Sequence, residues 1–470
     1  MAFWNRRKPF DSEEALEEQN QLKRTLSWPH LIALGVGAII GTGIFALIGV
    51  GAGMAGPAVV VSFAVVGVVC ACAAMAYAEM ATMIPASGSA YTYSYAVLGE
   101  FLAWIVGWCL ILEYSLVVAT VAVGWSGYAV GGLKSIGVDL PTALSAPPHV
   151  DGGMINLPAI FITLAVAALL AAGTRESARV NMVLVLIKLA ALALFVAVAF
   201  PAFDAAHFEP FAPFGYGKDR VGDVDKGMIA AAAIIFFAFY GFDAISTAAE
   251  EAKNPGRDLS IGIVGSMILC TIIYMLVAAA AVGALPFGQF AESAEPLALI
   301  LREINQPEAA KWIAGAAIVA MPTVLLAFLY GQSRIFFVMA RDGLLPRFLS
   351  KVNPKTGTPV VMTFVAAVIV AALAGVARLD EIAALANAGT LAAFIAVAVC
   401  MLVMRVREPN RPRVFKAPFG WVVGIVTILG CAYLFWGLQD RTQHFFLIWS
   451  AIGLVVYFAY SMHASKLKGR

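Results

Sequence analysis

The sequence has 470 residues, of which 61% are hydrophobic and only 13% are charged, and its formal net charge is +2. Its mean hydropathy is +0.87. A soluble globular domain is about one quarter charged, so this composition excludes a soluble enzyme, and we expect no nucleic-acid partner. It predicts a polytopic membrane protein whose surroundings are mostly the lipid bilayer.

The chain opens with a polar, charged segment, residues 1–27, which lacks the apolar core of a signal peptide. We expect this segment to be cytoplasmic and the first span to direct insertion. Apolar segments long enough to cross a bilayer then follow about twelve times. They are 30–54, 57–84, 99–130, 155–173, 179–200, 227–250, 259–284, 310–340, 359–377, 382–404, 420–438 and 443–462.

The distribution of basic residues tests this count of spans. When the N-terminus is placed in the cytoplasm, most of the 31 Lys and Arg residues fall in loops on the cytoplasmic side. This agrees with the positive-inside rule. We therefore predict an all-α multi-pass protein of the cell membrane with both termini in the cytoplasm. The third and eighth spans are longer than a bilayer requires, which predicts tilt or extension beyond it.

The first span contains the stretch IIGTGIF at residues 39–45, in which Gly41, Thr42 and Gly43 interrupt an otherwise apolar helix. The sixth span contains a second interruption, FFAFYGFDAIST at 236–247, in which Gly241 precedes Asp243. The two glycines at 41 and 241 are 200 residues apart, at matching positions of two five-span halves. This pattern predicts inverted repeats with broken first and sixth helices. The alternative is that the glycines form close helix-packing faces.

The repeats divide the chain into an organisation that we predict as follows. Residues 28–200 form the first repeat, 201–226 an extracellular loop, 227–404 the second repeat, and 405–470 the last two spans and a cytoplasmic tail. Irregular backbone within a membrane is tolerated where it lines a cavity. N–H groups freed at a half-helix start favour a carboxylate, and freed carbonyl groups favour an ammonium. Two such breaks side by side predict a site for a zwitterion, an amino acid.

Ionisable residues within spans are costly and are candidates for function. Lys188 lies in the middle of the fifth span. Desolvation disfavours its charged form, which suits proton exchange and coupling to a proton gradient. The alternative is a fixed cation paired with backbone carbonyl groups. Glu113 and Asp243 are candidates to face a cationic side chain or a proton, or else to bond neighbouring helices.

Three further features complete the candidates. Met321 precedes Pro322 in the eighth span, which predicts a kink and, as an alternative, a pocket wall. Glu79 lies near the cytoplasmic end of the second span, where we expect a structural role. The six cysteines all lie in apolar segments and the five histidines form no ligand pair, so we predict no disulfide, no metal site and no cofactor.

The chain resembles the bacterial branch of the cationic amino acid transporter family, within the amino acid–polyamine–organocation superfamily. GVGAIIGTGIF, YAEMATMIPASGSAYTYSY, FFAFYGFDAISTAAEEAKNP and GQSRIFFVMARDGLLP carry the resemblance, which extends from about residue 25 to 405. It implies a LeuT-type fold. Eukaryotic members of that family have two additional C-terminal spans, and this chain ends after twelve.

The resemblance also implies roles for individual residues. The substrate carboxylate is expected at Thr42 and the amides around Gly41 and Gly43, and Lys188 at the sodium-site position that is linked to proton coupling. The α-ammonium is expected near the carbonyl groups of Ile39, Phe237, Ala238 and Tyr240, beside Gly241. Glu113, Asp243 and Met321 are expected to border the side-chain subsite, and Phe236 or Phe237 to close the site.

The sequence thus predicts a proton-coupled amino-acid symporter that works by alternating access, with alanine-like substrates favoured and arginine or lysine possible. An exchanger and a non-transporting amino-acid sensor stay open as alternatives, as does an accessory membrane subunit. We do not expect an enzyme, because no catalytic cluster occurs. A GxxxxGK[ST] motif for ATP-driven transport is also missing from the sequence.

Overall fold

The structure, a computed structural model, describes residues 6–8, 26–84, 88–171, 178–222, 224–247, 252–350 and 360–467. Most of the predicted N-terminal segment therefore lies outside the described residues. So do positions 85–87 and 248–251, which belong to two of the sequence motifs.

Helices make up most of the described chain, because long apolar runs satisfy their backbone groups internally only as helices. In the first half they are α1 (Trp28–Ile39), α2 (Thr42–Phe45), α3 (Leu47–Ala55), α4 (Val59–Met83), α5 (Ser89–Val97), α6 (Glu100–Ser135), α7 (Thr142–Ser145), α8 (Leu157–Ala171) and α9 (Ala178–Ala199). In the second half they are α10 (Met228–Ile235), α11 (Asp243–Thr247), α12 (Pro255–Ala284), α13 (Pro296–Glu303), α14 (Pro307–Arg341), α15 (Val360–Val376), α16 (Leu379–Arg407), α17 (Gly420–Gly437), α18 (Asp440–Val456) and α19 (Met462–Ala464).

The strands are short and lie in the connections between long helices. They are β1 (Ile155–Asn156), β2 (Asp219–Val221) and β3 (Val224–Lys226). β2 and β3 pair antiparallel, with Asp219 opposite Lys226. These connections also contain the short helices α7 and α13.

The protein is a multi-pass membrane protein. Within the described residues, nine helical stretches are long and apolar enough to cross a membrane, and three further apolar helices are shorter. The longest single helices are α6 with 36 residues and α14 with 35. At about 1.5 Å per residue each exceeds a hydrocarbon layer of about 30 Å, as the sequence predicts for the third and eighth spans.

The core is formed by α1, α4, α6, α10, α12, α14 and α16, whereas α15, α17 and α18 expose much apolar surface. Small residues let the inner helices approach closely. For example, Gly331 of α14 lies against the ring of Tyr114 of α6. The candidate site lies where these inner helices meet α2, α11 and the non-helical segments beside them, and Lys188 lies on α9.

Candidate functional site

Helical hydrogen bonding stops between α1 and α2. α1 ends at Ile39, Ile40 and Gly41 are not helical, and a new helical stretch begins at Thr42. The first N–H groups of a helix have no acceptor within it, so those of Thr42 and Gly43 are free of intrahelical bonds. The interruption coincides with the motif IIGTGIF.

A second interruption separates α10 from α11. After Ile235 the chain makes a short 3₁₀ turn, Phe236–Ala238, and α11 begins only at Asp243. Gly241 has φ +116°, a conformation that residues with a side chain rarely adopt. The carboxylate of Asp243 accepts a hydrogen bond from the N–H of Gly241 at 3.1 Å. The acid therefore fixes the turn that precedes its own helix.

The two interruptions cross each other at van der Waals distance. A Cβ atom placed on Gly43 would lie 3.0 Å from the backbone nitrogen of Ala238, and one on Gly241 would lie 3.0 Å from the carbonyl of Ala38. Each break thus has a glycine where the backbone of the other passes. Glycine is required at both positions because a side chain would collide with the other break. At Gly241 the positive φ requires it as well.

A cavity of about 10 Å³ lies between the two breaks, which is enough for about one water molecule. The residues that line it are apolar, apart from Thr42 and Tyr240. Thr42 is fully buried, and Phe237 and Tyr240 are 5% and 2% exposed. The lining consists of Ala38, Ile39, Gly41, Thr42, Gly43, Val117, Val121, Phe237, Tyr240, Val324 and Phe328.

Lys188 links three helices next to the first break. Its Nζ donates to the carbonyl oxygen of Gly37 at 2.7 Å and to Oγ1 of Thr323 at 2.9 Å. The side chain is fully buried. Because Gly37 lies in the last turn of α1 and Thr323 in α14, the amino group of α9 holds the end of the broken helix against the neighbouring scaffold.

The two buried acids, Glu113 and Asp243, have different surroundings. Asp243 Oδ2 accepts a hydrogen bond from the Tyr114 hydroxyl at 3.0 Å. Within the described residues, neither carboxylate oxygen of Glu113 has a hydrogen-bond partner. Thr390 lies beside Glu113, but its hydroxyl donates to the carbonyl oxygen of Ala386 at 3.2 Å. The Tyr240 hydroxyl also has no hydrogen-bond partner within the described residues.

The structure brings about half of the predicted site residues to the cavity. Ile39, Gly41, Thr42, Gly43, Phe237 and Tyr240 line it, whereas Phe236, Ala238, Gly241, Glu113, Asp243 and Met321 do not. Met321 nevertheless touches the site, because the Thr42 hydroxyl lies 3.7 Å from its sulfur atom. Phe236 packs outside, against Phe394 and Tyr240.

Several contributing residues escape the sequence analysis. The cavity walls formed by Val117, Val121 and Val324 carry no sequence signal beyond being apolar. Tyr274 donates from its hydroxyl to the carbonyl oxygen of Ile39 at 2.9 Å, which gives one of the two hydrogen bonds that this oxygen can accept. Thr323, next to the Met-Pro pair, could have been found from its position beside Pro322.

Comparison with known proteins places the chain among amino acid permeases. The sequence model of the amino acid permease family matches residues 26–457. The chain is 46% identical to the branched-chain amino acid permease BcaP of Bacillus subtilis, over 96% of both chains. It is 40% identical to the methylthioribose transporter of the same organism, over 98% of both chains. It is 37% identical to the vacuolar cationic amino acid transporter 4 of Arabidopsis thaliana, over 86% of this chain and 67% of that protein.

Proposed function

Since the chain belongs to the amino acid permease family of the amino acid–polyamine–organocation superfamily, we propose that it takes up neutral amino acids by proton-coupled symport with alternating access. It is a transporter rather than an enzyme. The observation that carries the proposal is the crossing of two broken helices around a cavity with apolar walls.

The chemistry of the cavity supports an amino acid with an aliphatic side chain. The free N–H groups of Thr42 and Gly43 suit the substrate carboxylate, and the carbonyl groups that end α1 and α10 suit its ammonium. Val117, Val121 and Val324 then face the side chain. The acids Glu113 and Asp243 lie outside the lining, which favours neutral over cationic substrates. The printed name of the B. subtilis relative, a branched-chain amino acid permease, supports the same class.

Lys188 is proposed as the coupling residue. As an ammonium it has three N–H groups and no acceptor, and it donates to Gly37 on α1 and to Thr323 on α14. Loss of a proton removes one donor and the positive charge, which weakens the attachment of α1 to the scaffold. The protonation state of Lys188 therefore biases the position of the broken helix that binds substrate.

The small size of the cavity supports alternating access. A space of about 10 Å³ cannot hold an amino acid, so binding requires some of the lining to withdraw. We propose that the aromatic side chains move, because the backbones of the two breaks lie in close contact at Gly43 and Gly241. Phe237 packs on Tyr240 with ring centres 5.1 Å apart, and Tyr240 packs on Phe328 at 6.3 Å.

We further propose twelve spans arranged as two inverted five-span repeats of the LeuT type, followed by two more spans. α1–α3, α4, α6, α8 and α9 would form the first repeat, and α10–α11, α12, α14, α15 and α16 the second. The chain turns at Gly56, which has φ +63° and lies between α3 and α4. The carbonyl oxygen of Met54 accepts a hydrogen bond from the N–H of Gly227, and the Ser62 hydroxyl donates to the carbonyl oxygen of Met228. Residues on both sides of the turn thus contact the same two residues, which supports a reversal of the chain at Gly56.

The two chain ends support an even number of spans with both termini on one side. Arg6 donates from Nη1 to the carbonyl oxygen of Met462 at 3.1 Å. Lys8 pairs with Asp342 at 3.0 Å, and the N–H of Lys466 donates to the carbonyl oxygen of Asp342 at 3.2 Å. We propose that this side is the cytoplasm.

Uptake into proteoliposomes of the purified protein tests the proposal. Labelled leucine, alanine and arginine are offered with and without an inward proton gradient, to the wild type, Lys188→Ala and the control Lys311→Ala. We expect gradient-driven accumulation of the neutral substrates that Lys188→Ala abolishes. Lys311 is exposed and pairs only with Glu308 within the described residues, so its replacement is expected to leave uptake unchanged. Uptake only into vesicles preloaded with amino acid would contradict symport and identify an exchanger.

The preference for side chains gives a second test. Val117→Ala enlarges the cavity, and we expect the ratio of leucine to alanine uptake to rise about tenfold, since a methylene group in an apolar pocket is worth about 1–3 kcal/mol. Val118→Ala is the matched control, because Val118 is fully buried on the same helix but does not line the cavity. An equal change of ratio in both variants would place the side-chain subsite elsewhere.

A further inference from the structure

A groove of about 480 Å³ lies at the start of α17, far along the chain from the cavity between the broken helices. Its lining includes Arg405 from the end of α16, Lys416 and Phe419 from the connection, and Gly420 and Trp421 from the first turn of α17. None of these residues lines the cavity between the breaks. The transport proposal leaves this groove without a role.

One wall of the groove is a cation that the fold holds in place. The guanidinium of Arg405 binds the fully buried carboxylate of Glu79 through two nitrogen atoms, at 3.1 and 2.5 Å, and donates to the carbonyl oxygen of Ala417 at 3.0 Å. Gly420 lies directly against this guanidinium, and a Cβ atom there would collide with it. The glycine therefore leaves space for the guanidinium. Because Arg413 also binds the carboxylate of Glu79, the two arginines and the single glutamate together keep a positive charge.

Lys416 is a second cation of the groove. Lys416 is exposed, and its amino group makes no hydrogen bond or ion pair within the part of the chain that the structure describes. α17 begins beside it without a side-chain cap, so the free N–H groups of its first turn add positive partial charge. The groove thus combines a fixed and a movable cation with backbone donors, which suits a phosphate ester.

The apolar surface beside the groove continues along one face of α17. Phe419 is 85% exposed at the rim. Below it a row of large apolar residues faces outward at helical spacing, consisting of Trp421, Val422, Ile425, Leu429, Tyr433 and Trp436. The basic groove and this apolar row together match the two parts of a phospholipid, the charged headgroup and the apolar acyl chains.

We propose that the groove binds the headgroup of an anionic phospholipid whose acyl chains lie along the exposed face of α17. The proposal rests on the orientation proposed above, which puts the groove at the cytoplasmic leaflet, whose anionic lipids attract juxtamembrane basic residues. Charge complementarity selects an anionic headgroup over a zwitterionic one, and the apolar row selects a lipid over free phosphate.

Lipid retention by the purified protein tests this site. The protein in detergent is titrated with phosphatidylglycerol or with phosphatidylcholine of the same chain length, and bound lipid is counted by native mass spectrometry. We expect phosphatidylglycerol to be retained at several-fold lower concentration, and inorganic phosphate not to displace it. Equal retention of both lipids would overturn the proposal, as would displacement by phosphate at the concentrations that bind the lipid.

Charge variants locate the site. Lys416→Gln is expected to weaken phosphatidylglycerol binding about fivefold and Lys416→Glu about thirtyfold, since a basic residue near an anionic surface is worth about 1 kcal/mol. Lys253→Gln is the control, because Lys253 is exposed near the same end of the helices but outside the groove. Unchanged binding in both Lys416 variants contradicts the proposal. Uptake is measured in parallel, so that loss of transport with intact lipid binding counts against the transport proposal alone.

Discussion

Gly43 and Gly315 differ in how well they tolerate an added methyl group, because their surroundings differ. Gly43 faces the backbone of Ala238, with a nitrogen atom only 3.0 Å from a placed Cβ. We expect Gly43→Ala to push the two breaks apart, to lower stability by about 1–3 kcal/mol as overpacking does, and to abolish uptake. Thermal unfolding in detergent and proteoliposome uptake measure the two effects.

Gly315 provides the control within one of the long helices. It is exposed on α14, and a Cβ atom there would meet nothing within 4 Å. Gly315→Ala is expected to leave uptake intact and to raise stability slightly, by about 0.5–1 kcal/mol, because alanine loses less conformational freedom in a helix. Normal uptake by Gly43→Ala would mean that the crossing of the breaks is not needed for binding.

For single residues, the sequence predicts the chemical role of a position better than the direction in which its side chain faces. Gly41 and Gly241 stand out because glycine is costly inside a helix, and both lie at interruptions of the structure. Which apolar residues line the cavity depends on how each helix is rotated by its neighbours. Val117 faces the cavity and Val118 does not, although the two are identical in type and adjacent in sequence.

The helices near the proposed cytoplasmic end are joined by a buried ion pair. Glu79 of α4 accepts hydrogen bonds from Arg405 of α16, from Arg413 at 3.2 Å and from the N–H of Ala417 at 2.8 Å. Glu79→Ala leaves two guanidinium groups without their partner, and we expect stability to fall by about 3–5 kcal/mol. The midpoint of thermal unfolding measures the loss. This agrees with the structural role that the sequence predicts for Glu79.

An exposed ion pair gives the comparison. Glu308 and Lys311 lie one helical turn apart on α14, 2.6 Å between their charged atoms, and their side chains are 77% and 52% exposed. Glu308→Ala is expected to change stability by less than about 1 kcal/mol, because solvent screens such pairs. If Glu79→Ala and Glu308→Ala lower the midpoint equally, Glu79 does not anchor the helices.

Among the elements, long apolar helices follow from the sequence and short ones do not. A run of about twenty apolar residues has few alternatives in a bilayer, so α6 and α14 are predictable, including their length. β2, β3 and α13 lie in connections that are polar or rich in glycine and proline. α13 forms because Pro296 starts a helical turn and its apolar face, with Leu297 and Leu301, is buried against the protein, which is a tertiary effect.

For the whole molecule, the twelve-span arrangement stays a proposal, which observations of the sequence and of the structure support. The count of apolar segments and the distribution of basic residues predict twelve spans with both ends in the cytoplasm. The structure adds a contact between residues near the two ends, Arg6 and Met462, which supports the even number of crossings that we propose. The contact between the two ends is the same whichever side of the bilayer they lie on, so the cytoplasmic side is predicted from the basic residues alone.

Thiol labelling in intact cells determines that side. Asp151 and His463 are exposed, and they lie on opposite sides in the twelve-span arrangement. The native thiols give a low background, since five cysteines are buried and Cys72 is half-buried. We expect a membrane-impermeant maleimide to label Asp151→Cys in intact cells and His463→Cys only after the membrane is opened. If both variants react from outside, the number of spans between residues 151 and 463 is even rather than odd, and the proposed repeats are wrong. If Asp151→Cys is protected in intact cells and His463→Cys is labelled, the repeats stand but the groove at α17 faces the outer leaflet.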